Sequence, residues 1–436
     1  MLVAQTVCCF TGRTALNQFG NVELSLKYNN LKLLVFDSHP VQYRVPLWQI
    51  LEKQYPGSLH VVYGSDRSIR GYADKDFGQN IAWDDPMLAG YESTILNCEN
   101  GPLEAWGSLT GEGVKETIER IKPSAVLLVG LNYKYDLVAY FQAWRKGIPV
   151  WLRCETQDYA VNRSAGKAIL RSMIYRSAYI GLQKIFYIGE LNKKHYLDHG
   201  VPESKLRPAR YGTVDRFAAM SDEEKTQKRN LARKEAGVSD SNIVVGFSGK
   251  FITKKNPQIL FQMLEFLPEN LRSRIYLYFM GSGTLEKEIK DLAEQVLKKF
   301  GVKSYFSGFV NQSQLAGHYL AMDIMVLPSR RMGETWGLVA NEAMQGGCGV
   351  IVSDAVGSGE DFKTWERFRV FKEPNPAELA KAVVQLAQFP RDFSWAKQKL
   401  ENYSLRATAE VLAEELKKLE KNPLPNNYRP DASKND

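Results

Sequence analysis

Cysteine and histidine are scarce in this chain, five of each among 436 residues. The cysteines at 8, 9, 98, 154 and 348 keep no metal-ligand spacing and form no even framework, which argues against a zinc module or a disulfide-stapled domain. A reducing, cytoplasmic compartment suits them better, and no bound metal is expected. No apolar run approaches the roughly 20 residues of a bilayer-crossing helix. The opening MLVAQTVCCF lacks a basic segment ahead of a long apolar core, so no secretory signal is expected. A complete dinucleotide fingerprint is missing too: Gly281-Ser282-Gly283-Thr284 lacks the third glycine, Glu286 standing in its place, and reads instead as a tight strand-to-helix turn.

What is present is ample core material. Hydrophobic residues make up 44% of the chain, and the length implies two domains or more. A net charge of +8 fits nucleic acid, an anionic membrane surface or a polyanionic substrate equally well. The most informative stretch is DIMVLPSRRMGETWGLVANEAMQGGCGVIVSDAVGSGED, from Asp323 to Asp361. Ile324 to Leu327 is a short apolar strand, which Pro328, Ser329 and Gly333 break. A helix is expected to open near Trp336 or Gly337 and to close at Gly346-Gly347, with Val350 to Val352 returning to a strand. Ligands of open α/β sheets bind at such a loop, beyond the strand's carboxyl end. Glu334 in the loop and Glu342 in the helix frame it, and Glu342 lies about 7 Å along the axis from Gly337. One ligand can therefore touch the Gly337 and Leu338 amides with a phosphate and Glu342 with a ribose diol.

These residues resemble the retaining glycosyltransferases of family four. The E-x7-E pair Glu334 and Glu342, the run PSxxxxETWGLVxNEAMxxG and VSDAVG at 352–357 carry the resemblance, which is dense in the C-terminal half and thin in the N-terminal half. It implies two Rossmann-like α/β domains facing across a cleft (the GT-B architecture), with a C-terminal helix crossing back to the first. The expected division is a poorly structured extension over 1–30, an acceptor-side domain over 31–210, a nucleotide-sugar domain over 211–389, a crossover helix over 390–420 and a disordered tail over 421–436. The implied reaction moves a sugar from a nucleotide-diphosphate sugar to a polysaccharide, lipid-linked or small-molecule glycan acceptor, with retention. No cofactor and no nucleic-acid partner are implied, and no metal is needed if lysines neutralise the departing diphosphate.

Site residues follow from the same likeness. Lys250 and Lys255, after the strand Ile243 to Phe247, face the departing diphosphate; Lys250 stands where relatives commonly carry Arg and lacks its bidentate fork. Glu334 holds sugar hydroxyls. Gly249, Gly283, Phe309, Val310, Gly333, Thr335, Trp336, Gly337, Leu338 and Glu342 bind the donor. On the acceptor side, SHPVQY at 38–43 replaces the Gly-rich loop of many relatives; His39 is read either as a working residue or as a turn-fixing one. Arg153 and Glu155, two apart on an extended chain, either hold acceptor hydroxyls or pair with each other. The polar stretch to Asn100, with Arg67, Arg70, Asp74, Asp76, Trp83, Asp84 and Asp85, is a lid or a surface loop. Finally, a helix over 162–179 sets Arg163, Lys167, Arg171 and Arg176 opposite Ile169, Leu170, Met173 and Ile174. Its basic face is either simply solvated or a peripheral contact with an anionic membrane at the inner face. An epimerase or phosphorylase of the same architecture, and a silent nucleotide-sugar-binding protein, are the competing functions.

Overall fold

The computed structural model describes residues 31–74, 79–81 and 86–421. The expected extension over 1–30 and the tail beyond Lys421 lie outside the described residues, as do Asp76, Trp83, Asp84 and Asp85. The first sheet is built from β1 (Leu33–Asp37), β2 (Leu59–Tyr63), β5 (Glu92–Ile95), β6 (Ala125–Leu128), β7 (Val150–Leu152), β8 (Lys184–Tyr187) and β9 (Leu206–Pro208), while β3 (Tyr72–Asp74) and β4 (Gln79–Ile81) pair separately as an antiparallel ribbon. The sheet order is β5-β2-β1-β6-β7-β8-β9, parallel throughout. β10 (Ile243–Ser248), β11 (Ile275–Met280), β12 (Lys303–Phe306), β13 (Ile324–Leu327), β14 (Gly349–Ser353) and β15 (Phe368–Phe371) form the second parallel sheet, in the order β12-β11-β10-β13-β14-β15.

The central strands are apolar on both faces because helices cover both. In β1, Leu33 and Val35 join the core that faces α1 (Val45–Gln54), whereas Leu34 and Phe36 join the core that faces α2 (Val114–Ile121) and α3 (Lys134–Arg145). The strands the sequence left unread, β5, β9 and β15, lie at or next to sheet edges. Their half-exposed residues, such as Glu92, Ser93 and Thr94, give no apolar run to read.

Further along come α4 (Ala165–Tyr179), α5 (Glu190–Asp198), α6 (Asp222–Glu235), α7 (Glu286–Phe300), α8 (Leu315–Ala321), α9 (Val339–Gln345) and α10 (Pro376–Leu386). α9 opens at Val339, later than expected, because Gly337 takes φ +91° and the Trp336 carbonyl accepts from Ser358 N at 3.0 Å. Within the segment expected as the crossover helix, 390–420, a 3-10 turn at Glu401–Tyr403 precedes α11 (Leu405–Lys421). α11 carries Leu405, Ala409, Leu412, Ala413 and Leu416 at helical spacing, and these bury against Leu33, Trp48 and Leu51 of the first domain. Buried Glu415 fixes the register by accepting from Arg207 Nε at 2.6 Å. The GT-B arrangement with its returning helix is thus the fold of this chain.

Candidate active site

The second sheet reverses its strand order between β10 and β13, the switch point at which a parallel sheet opens a crevice for ligand. A cavity of about 190 Å³ lies there, and Gly249, Phe309, Val310, Leu338 and Glu342 all line it. Gly249 follows β10, Phe309 and Val310 follow β12, and Glu342 rises from α9. Glu342 accepts from Tyr319 Oη at 2.6 Å. Burial pushes its carboxyl above the ordinary range, against the opposing pull of Tyr319 and Arg216.

The cavity also takes residues that sequence reasoning missed: Arg216 from the segment joining the domains, Tyr319 from α8 and Gly281 from the turn after β11. Arg216 sits in YGTVDRF at 211–217, where the expected nucleotide-sugar domain begins. Gly281 was visible in the GSGT turn, where Gly283 was favoured. The structure separates their duties: Gly281 lines the cavity, while Gly283, at φ +157°, packs where a Cβ would stand 2.6 Å from the Phe251 carbonyl oxygen.

The loop after β13 carries the other carboxylate. Glu334 is 9% exposed and accepts from Lys255 Nζ at 2.5 Å and from Ser329 Oγ at 3.0 Å. Burial by itself would raise its pKa, but Lys255 and Lys254 together hold it below the ordinary value. Lys254 Nζ also donates to the Gly333 carbonyl at 3.0 Å, so two lysines brace this loop. Lys250 is half-buried beside Gly249. Trp336 is buried, with its indole N–H on Asn341 Oδ1 at 2.9 Å and its ring stacked on Tyr403. A Cβ on Gly337 would meet Leu327 at 2.5 Å. Neither Trp336 nor Gly337 lines the cavity around Glu342.

A second cavity, about 400 Å³, opens on the first domain and reaches Gly333 and Thr335 across the cleft. Asp37, Arg44, Asp136 and Glu155 line it, and of these the sequence had marked Glu155 alone. Glu155 accepts from Tyr43 Oη at 3.2 Å and from Tyr211 Oη, and Arg44 Nη1 stands 3.5 Å away. It does not pair with Arg153, which is buried, donates to the Ala209 carbonyl at 3.1 and 3.2 Å and covers the Tyr211 ring. His39 contacts Ser38 Oγ at 3.0 Å and lines neither cavity; burial lowers its pKa.

The cysteines keep no metal-ligand spacing, but one group of other ligand-type side chains does assemble. His195 and His199 stand four apart on and just after α5, and with Asp158 they present ligand atoms within 4.8 Å of one another. Arg171, 3.4 Å from Asp158, supplies a positive charge at the same spot, and Asp158 already accepts from His195 Nδ1 at 2.7 Å.

Residues 228–399 match the family model described as Glycosyl transferases group 1. The second domain is a group 1 glycosyl transferase domain. An uncharacterized glycosyltransferase of Methanocaldococcus jannaschii is 29% identical over 194 residues, 44% of this chain and 48% of that protein. A D-inositol 3-phosphate glycosyltransferase of Xylanimonas cellulosilytica is 33% identical over 130 residues, 30% of each. The chain thus spans less than half the length of these curated relatives. Among solved structures, Anabaena HepE in complex with UDP superposes with a TM-score of 0.65 at 16% identity, covering 89% of this chain and 100% of that one. A glycosyltransferase from Rickettsia africae gives 0.64 at 14%, covering 91% and 100%. The segment matching the group 1 model therefore sits in a chain of which 89 to 91% superposes on these structures.

Proposed function

We propose that this chain is a retaining glycosyltransferase that binds a nucleotide-diphosphate sugar on the second domain and passes the sugar to an acceptor held in the first-domain cavity. The observation that carries the reading is the convergence of Glu342, Gly249, Phe309 and Val310 on one cavity at the switch point, inside the group 1 domain. Anabaena HepE, which shares the fold, is described in complex with UDP and with UDP-glucose. In the reaction the sugar gains oxocarbenium character as the diphosphate leaves. Lys250 and Lys255 would stabilise that departing charge without a metal, because preorganised cations act on the transition state at no reorganisation cost. Glu334 and the loop amides around it would shape the sugar pocket.

Contact with an anionic membrane is the favoured setting. In α4, Ile169, Leu170, Met173 and Ile174 are 58 to 63% exposed, so the side read as opposite to the basic face turns outward. Arg163 and Lys167 flank this apolar patch, a combination that suits an anionic bilayer surface. No helix among the described residues is long and apolar enough to cross a membrane.

Saturation-transfer NMR against a panel of nucleotide sugars, followed by nucleoside-diphosphate release, tests the reading. Binding with acceptor-dependent release is expected; turnover of the donor without any acceptor would instead favour an epimerase. Lys255→Ala should cut turnover by about two to three orders of magnitude, and a chelator should leave it unchanged. Loss in EDTA with rescue by manganese would remove the metal-free mechanism.

A further inference from the structure

We propose that the first-domain cavity accepts a hydroxyl-rich ring carrying no phosphate, so that the group receiving the sugar is an unphosphorylated sugar or cyclitol. This rests on the transferase reading and adds to it the charge class of the acceptor. Three carboxylates, Asp37, Asp136 and Glu155, line the cavity, and among its described lining residues Arg44 is the only cation.

Arg44 keeps no N–H fork for a ligand anion, because four of its five donors are already engaged. Its Nε and Nη2 donate to the two oxygens of Asp37 at 2.8 Å each, and Nη1 is directed to Tyr43 Oη at 3.3 Å and Glu155 Oε1 at 3.5 Å. The guanidinium therefore neutralises Asp37 and part of Glu155, leaving Asp136 without a cationic partner in the lining. Asp136 is 2% exposed and accepts from the backbone N–H groups of Asn132 and Tyr133 at 2.8 and 2.9 Å. A phosphomonoester needs N–H forks or free cations, and a wall of carboxylates repels it. Ionised carboxylates are acceptors only, so they select donors, and the hydroxyls of a sugar or cyclitol supply them.

The cavity also lies where transfer requires an acceptor. Thr335 Oγ1 is 3.5 Å from Glu155 Oε2, which joins the loop of Glu334 to the first-domain wall.

The experiment measures nucleoside-diphosphate release with acceptor pairs that differ only by phosphate: myo-inositol and D-inositol 3-phosphate, glucose and glucose 6-phosphate, N-acetylglucosamine and its 6-phosphate. The unphosphorylated member of at least one pair should be favoured roughly tenfold in kcat/KM. Asn132→Lys, which adds a cation at the exposed rim, should narrow that ratio about threefold. Preference for the phosphorylated member of any pair overturns the proposal, and so does stimulation by none of the rings while the donor still binds. A protein that gives no saturation transfer from any nucleotide sugar fails the transferase reading itself, and the acceptor proposal falls with it.

Discussion

Glu334, buried, and Glu342, half-buried, stand eight positions apart in sequence and meet different neighbours, and their substitutions should separate accordingly. Glu342 accepts from Tyr319 and lines the switch-point cavity, so Glu342→Gln should weaken a nucleoside diphosphate and its sugar by a similar amount, about 1 to 3 kcal/mol for a charge-assisted hydrogen bond. Glu334 is held by Lys255 and Ser329; Glu334→Gln should lower turnover and leave nucleoside-diphosphate affinity almost unchanged. Calorimetry of both variants with UDP, beside steady-state rates, decides this, and equal losses of UDP affinity would put the donor elsewhere. Asp136 gives a pH test. Burial raises its carboxyl from 3.8 to about 6, against the two backbone N–H bonds that pull it down. The folded protein therefore holds a proton there that the unfolded chain has lost. The stability tied to that proton is present below about pH 4 and is lost as pH rises through about 6. Asp136→Asn keeps an oxygen for the N–H groups and cannot ionise. Its stability relative to the parent should grow between pH 4 and 7 by as much as about 3 kcal/mol; parallel melting curves across that range would count against a buried charge.

At the scale of elements, α11 holds the first domain more than its place at the end of the chain suggests. Leu412 is fully buried in the same core as Leu33 and Trp48, so Leu412→Ala should cost about 2 to 5 kcal/mol in a denaturant titration. An exposed neighbour such as Arg406→Ala serves as the control and should change little. A small loss at Leu412 would mean that the helix frays from the domain. The β13 loop is the other element with tertiary support: Val161 and Met332 form an antiparallel bridge across the cleft, and Gly333 N donates to the Ala160 carbonyl at 2.8 Å. The segment bearing Glu334 is thus positioned by both domains.

For the whole molecule, donor binding should appear as stability. A nucleoside diphosphate at a hundred times its Kd adds about 2.7 kcal/mol to the folded state if it binds that state alone. UDP at such an excess should raise Tm by a few degrees, and Glu342→Gln should reduce the shift at fixed UDP. No shift with UDP or any other nucleoside diphosphate would refute the switch-point cavity as a donor site. The domains are tied by more than the cleft loops: Asp361 receives Glu190 N at 3.0 Å and Arg210 Nη1 at 3.1 Å.

The sequence alone determined the paired α/β domains and the strand Ile324–Leu327 to the residue, and it marked Gly249, Phe309, Val310 and Glu342, which line one cavity. Buried parallel strands are continuous apolar runs and glycine-rich turns follow them, so both are local signals. Tertiary structure decided what those signals omit. Arg153 and Glu155 read alike in an extended segment, yet one is consumed by the Ala209 carbonyl and the other faces the cleft. Asp37 ends β1, Arg44 lies in the turn just before α1 and Asp136 lies in α3, so they share one wall only after these elements assemble. The outward turn of Ile169 and Leu170 depends on which face of α4 the rest of the domain leaves uncovered. Spacing along a chain fixes which side chains share a face; which face meets a partner is set by contacts distant in sequence.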